Sequence, residues 1–171
     1  MLLGLVLFYV GAVLILNGLW MLDQIGDREI WVINLFVGAV SLLVAFRQAF
    51  GAHADAASVK AAALSLLFSF TYLWVAFNRF SGADGRGLGW FSLFVAITAV
   101  PVAADTLSGA VSHWEVWLGL AWAAWAVLWL LFFLQLVLHK PVSRIAAWVA
   151  IGEGVFTGWL PGYLLLTGAM A

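Results

Sequence analysis

Apolar runs and short polar breaks alternate along the chain, and the runs dominate. Six of them, over residues 2–22, 30–50, 59–80, 88–107, 114–138 and 142–167, follow one another with little between. A hydrocarbon layer of about 30 Å is crossed by ~20 residues of α-helix. Backbone polar groups in lipid must be satisfied within the segment. The pattern therefore predicts six transmembrane helices. A transmembrane β-barrel would instead show alternating segments of about 10 residues. The breaks hold the expected punctuation: Gly26 and Asp27, Gly51, residues 82–87, Ser108 and Gly109, and Pro141. Pro101 falls inside the fourth run, where it predicts a kink and a freed carbonyl. The first run has no basic leader and exceeds the usual signal-peptide core of about 7–15 residues. It is read as a retained span.

Composition agrees with this reading. Hydrophobic residues make up 66% of the chain and charged ones 9%, against roughly a quarter charged in a soluble domain. Most of the surface must face lipid. The expectation is one all-α integral membrane domain over residues 1–171, with no room for an extramembrane domain. With no cysteine, disulfides, thiolate catalysis and thiolate metal sites are excluded. A net charge of −1 gives no attraction to nucleic acid. His53, His113 and His139 stand in or beside the breaks without helical i,i+4 spacing, so no metal site is expected. No nucleophile–base pair, phosphate loop or dinucleotide fingerprint is present. These absences predict neither catalysis nor a cofactor. The first, third and fifth connections carry Arg28, Arg79, Arg86, Lys140 and Arg144, while the second and fourth carry Arg47 and Lys60. Positive charge collects in cytoplasmic loops, which places both termini outside the cytoplasm.

Candidate chemistry lies inside the spans. Trp122, Trp125 and Trp129 recur at spacings of three and four in the fifth span and share one face. Membrane tryptophans normally gather at the interfaces, and Trp114 and Trp117 fit that habit. The central three do not. Each buried indole needs a partner for its N–H, which a polar pore or a neighbouring helix could supply, so packing and pore lining both remain open. The third span adds Phe70 and Trp74, four apart, with Thr71 and Tyr72 between them; here helix packing is the simpler reading. Glu153 is an ionisable residue deep in the sixth span, between Gly152 and Gly154. Such residues are costly in lipid and usually face the bundle interior or a water-filled cavity. It could line a pore or bond to another helix. Asn17, Asn34 and Asn78 lie near span ends and suit interfaces or caps. Gly4, Gly11 and Gly18, seven apart, predict close helix association.

Taken in order, LGLVLFYVGAVLILNG, VINLFVGAVSLLVAF, FSFTYLWVAFN, GLGWFSLFVAITAVP, WAAWAVLWL and EGVFTGWLPGYLLL resemble the urea/short-chain amide channel family, AmiS/UreI. The likeness covers nearly the whole chain. It implies a twisted bundle of six transmembrane helices with a pore through each protomer, assembled as a homohexamer. It also implies passive movement of a small neutral amide or urea. Carried over by motif, pore-lining positions fall on Trp122, Trp125, Leu128 and Trp129, on Phe70 and Trp74, on Glu153, and on Val10 and Leu14 in the first span. Where this chain has Trp74 the acid-gated branch carries a tyrosine. That branch also has long, histidine-rich outer loops. Here the two outer connections are short and offer His53 and His113, which predicts a pore that is not strongly acid-gated and lies nearer the amide-transporter branch.

The expected function is therefore facilitated diffusion of acetamide, urea or a similar amide across a bacterial cytoplasmic membrane. Flat solutes would pass between aromatic walls, with indole N–H groups and Glu153 offering hydrogen bonds. The alternative is a proton-coupled amide transporter using Glu153.

Overall fold

The computed structural model describes residues 1–170. The helices are α1 (Leu2–Met21), α2 (Asp27–Phe50), α3 (Ala56–Ser81), α4 (Arg86–Ser108), α5 (His113–Leu136) and α6 (Ser143–Leu166). All six are long and apolar enough to cross a membrane. Their order and number match the apolar runs.

Their ends differ from the runs for local reasons. α2, α3 and α4 begin two or three residues before their apolar stretches, because first turns favour polar residues. Asp27 and Glu29 sit in the first turn of α2, where the positive end of the helix dipole favours them. α3 opens on a capping box: Ser58 N–H donates to the Asp55 carboxylate at 2.7 Å, and Asp55 N–H donates to Ser58 Oγ at 2.9 Å. The Ser58 N–H holds the Asp55 carboxyl below its usual pKa. α5 stops at Leu136, short of residue 138, because His139 takes a left-handed φ of 51° just ahead of Pro141. α4 runs on through Pro101, which lies on the exposed face.

Each helix packs on its sequence neighbours, and α6 closes back on α1, giving a ring of six. The α1–α6 seam is the tightest approach. A Cβ on Gly11 would collide with the backbone of Trp159, and one on Gly158 would stand 2.5 Å from Gly11 Cα. Gly4 and Gly18 meet α6 above and below, at Leu165 and Ile151. The sevenfold glycine spacing thus matches one partner helix along its length. Small residues let membrane helices gain van der Waals contact where lipid offers no hydrophobic drive. Within α6, residues Gly154–Trp159 form a π-helical turn, a feature often found at functional sites.

Apolar side chains cover the outside of the ring: Leu43, Phe94, Ile97, Trp148 and Phe156 are all exposed. Polar side chains turn inward and tie helices together. Asn17 and Asn34 exchange amide hydrogen bonds of 3.1 and 2.7 Å between α1 and α2. Ser69 Oγ donates to the Gly38 carbonyl at 2.8 Å, joining α3 to α2.

Candidate functional site: an aromatic septum between two chambers

The middle of the ring is filled from α5 and α3. Trp122, Trp125, Leu128 and Trp129 are all buried, so the fifth-span stripe faces inward. Their counterpart on α3 is Phe68. Its ring meets Trp125 edge-on at 4.7 Å between centroids, Trp129 at 4.8 Å and Trp122 at 5.8 Å. Edge-to-face pairs at such distances are favourable beyond their burial alone. Val10 and Leu14 of α1 complete the packing and are equally buried.

Two chambers flank this septum. One, of about 210 Å³, lies toward the termini, and Val10, Leu64, Leu118 and Trp122 are among its walls. The other, of about 70 Å³, lies toward the connections α1–α2, α3–α4 and α5–α6; its walls include Leu14, Thr71, Tyr72, Leu128 and Trp129. Phe68 and Trp125 face both chambers.

Hydrogen bonds hold two of the indoles in place. Trp125 Nε1–H donates to Thr157 Oγ1 at 2.8 Å, and that hydroxyl donates to the Glu153 carbonyl at 2.6 Å. Trp129 Nε1–H donates to Thr71 Oγ1 at 3.2 Å, and Thr71 donates to the Leu67 carbonyl at 2.7 Å. Both N–H groups are thus already partnered, contrary to the expectation that they offer hydrogen bonds to a solute. Thr157 belongs to the π-helical turn, as does Phe156, whose carbonyl accepts from Trp117 Nε1 at 2.9 Å. The turn therefore presents two anchoring points to α5.

The Glu153 side chain is 7% exposed, and its Oε2 is buried without a hydrogen-bond partner among the described residues. Of its flanking glycines, Gly154 presses on the backbone of α1 near Gly11 and Ile15, whereas a Cβ on Gly152 would meet nothing within 4 Å. Only Gly154 is needed for close approach.

Phe70 and Trp74 stand elsewhere. They are 44% and 38% exposed and pack on Phe91 of α4, with centroids 6.5 and 5.7 Å away. Neither is among the walls of the two chambers, whereas the family resemblance implies that they line the pore. The reason is helical phase: at about 100° per residue, Phe70 points roughly 200° away from Phe68. The inward face of α3 is Phe68, Thr71, Tyr72 and Val75, spaced i, i+3, i+4, i+7. Sequence reasoning missed Phe68. The signal was present in Thr71 and Asn78, polar residues whose arc marks the protected face.

At the end of the smaller chamber, Trp20 Nε1–H donates to Asp27 Oδ1 at 2.7 Å, Arg79 pairs with the same oxygen at 3.7 Å, and the Arg79 guanidinium lies 5.2 Å from the centre of the Trp20 ring. This cluster links α1, α2 and α3 at the mouth. No group of three or more His, Asp or Glu side chains positioned for a metal occurs among the described residues.

Residues 2–169 match the family described as AmiS/UreI family transporter. A protein of Mycolicibacterium smegmatis named for the transport of amidate substrates is 42% identical over 166 residues, covering 96% of this chain and 76% of that one. An acid-activated urea channel of Helicobacter pylori is 37% identical over 188 residues, covering 95% of this chain and 96% of its own length. The crystal structure of the urea channel from the same species superposes with a TM-score of 0.86 at 38% identity, over 100% of both chains.

Proposed function

The chain belongs to the AmiS/UreI family of transporters and channels, and from that premise we propose that it is a passive channel for acetamide, urea or a similar small neutral amide. It is a multi-pass membrane protein, and its family consists of channels and transporters rather than enzymes. In our reading the solute crosses within each protomer, from one chamber to the other past Phe68 and Trp125. Trp122, Leu128, Trp129, Val10 and Leu14 shape the passage. Residues 1–171 act as a single channel domain.

The observation that carries this reading is the pair of chambers that share Phe68 and Trp125 of an uncharged aromatic septum as walls. An ion crossing such a septum sheds its water with no counter-charge in return, which costs many kcal/mol. A neutral amide leaves only a few hydrogen bonds unmet, at about 1–3 kcal/mol each in proteins. Its flat faces suit ring walls. Selectivity against ions then needs no charged filter.

Strong acid gating is not part of the proposal. Histidine is the side chain that ordinarily changes charge between about pH 5 and 8, and the termini end offers His53 in the α2–α3 connection and His113 as the first residue of α5. The alignment with the acid-activated channel runs over 188 residues, more than the 171 of this chain, so that relative carries segments absent here.

The site of action is a bacterial cytoplasmic membrane, with the termini outside, as the distribution of Lys and Arg supports. The assembly is a homohexamer in this reading. The outward aromatic face formed by Phe70, Trp74, Phe91 and Phe94 on α3 and α4 suits a neighbouring copy.

Stopped-flow swelling of proteoliposomes tests the function. Acetamide or urea should enter many times faster than into empty vesicles, whereas equal rates would end the reading. The buried, unpartnered Glu153 oxygen supports one second reading, proton-coupled transport through Glu153. Accumulation of amide against its gradient, abolished by an uncoupler, would favour that reading over a passive channel.

A further inference from the structure

Two residues in the wall of the smaller chamber hold polar atoms that the passage between aromatic rings does not explain. Asn78 is 3% exposed, and its Nδ2 is buried with no hydrogen-bond partner among the described residues. Gln135 Oε1 is likewise buried without a partner. Both side chains line the same space of about 70 Å³, more than a single water needs. Leaving such groups unsatisfied is expensive, so a polar solute that enters the chamber gains by pairing with them.

The two atoms are complementary: one is a donor and the other an acceptor. Asn17 lines the chamber as well, but its amide is engaged with Asn34. At the termini end, Gln48 Oε1 is an unpartnered acceptor with no unpartnered buried donor in the same wall. The paired arrangement belongs to the smaller chamber alone among the described residues.

We propose that Asn78 and Gln135 form a transient binding site for a primary amide or urea group, in which Asn78 Nδ2–H donates to the solute carbonyl and Gln135 Oε1 accepts from the solute N–H. The site rests on the amide-channel reading and deepens it. It replaces part of the hydration that the solute loses at the septum. It also selects: a carboxylate lacks the donor that Gln135 requires, an ammonium ion lacks the acceptor that Asn78 requires, and a tertiary amide lacks the N–H.

The experiment compares acetamide with N,N-dimethylacetamide in the same proteoliposomes, so that the ratio of the two permeabilities does not depend on how much protein has inserted. In Gln135→Met the ratio should fall about tenfold, because the acceptor that favours an N–H is gone. In Asn78→Leu both permeabilities should fall together and the ratio should hold, because both solutes carry the carbonyl. Gln135→Leu provides a second apolar replacement. A wild-type ratio in the Gln135 variants overturns the proposal, as does complete loss of flux in both of them, which would mark Gln135 as structural. If the wild type itself passes no acetamide, the channel reading fails instead.

Discussion

Thr157 and Thr71 do for the septum what no aromatic residue can do for itself. Each hydroxyl accepts from an indole N–H and donates to a carbonyl on its own helix. Thr157→Val keeps the shape of the side chain but leaves the Trp125 N–H buried and unpaired. We expect it to lower stability by about 1–2 kcal/mol, read as a drop in the detergent unfolding midpoint. Thr98→Val, whose hydroxyl bonds only to its own helix on the exposed face, should change little. A functional contrast belongs at the same scale. Trp129→Ala should alter amide permeability or selectivity more than Trp117→Ala, since Trp117 bonds to a backbone carbonyl away from the septum; equal effects would reduce the central indoles to packing. The tryptophan stripe was legible because its spacing admits only one helical face. Its partners were not, since a threonine in a span reads equally well as bonding to its own helix, and both threonines do so as well.

At the scale of elements, the helices were legible almost in full, because about 20 apolar residues in lipid leave the backbone few alternatives. The phase of α3 was not. FSFTYLW offers aromatics on both sides of the helix, and hydrophobicity cannot distinguish a face that meets protein from one that meets lipid. Polarity can: Ser69, Thr71 and Asn78 are all buried, while Phe70, Trp74 and Phe77 are exposed. The α1–α6 seam allows a direct check. Gly11→Ala would drive a methyl group into the backbone of Trp159, and overpacking of this kind costs about 1–3 kcal/mol. Gly152→Ala faces open space and should be neutral or slightly stabilising. Comparable unfolding midpoints for the two variants would contradict the close approach.

The whole molecule is a ring with an apolar exterior and an interior that holds two chambers. Its orientation can be tested directly because the chain has no native cysteine. In cells, a membrane-impermeant maleimide should label Val111→Cys from outside and should reach Ala83→Cys only after permeabilisation; the reverse pattern would invert the topology. The charge count predicts an orientation, but it says nothing of where a solute travels. That question turns on α3, where Phe68 faces the chambers and Phe70, two residues on, faces out. Phe68→Cys and Phe70→Cys, each treated with a small thiol reagent, therefore distinguish a passage inside the protomer from one between copies. Amide flux through modified Phe68→Cys should fall to the level of empty vesicles, while modified Phe70→Cys should conduct as before. Block at position 70 with unimpeded flux at position 68 would place the route outside the ring and contradict the account.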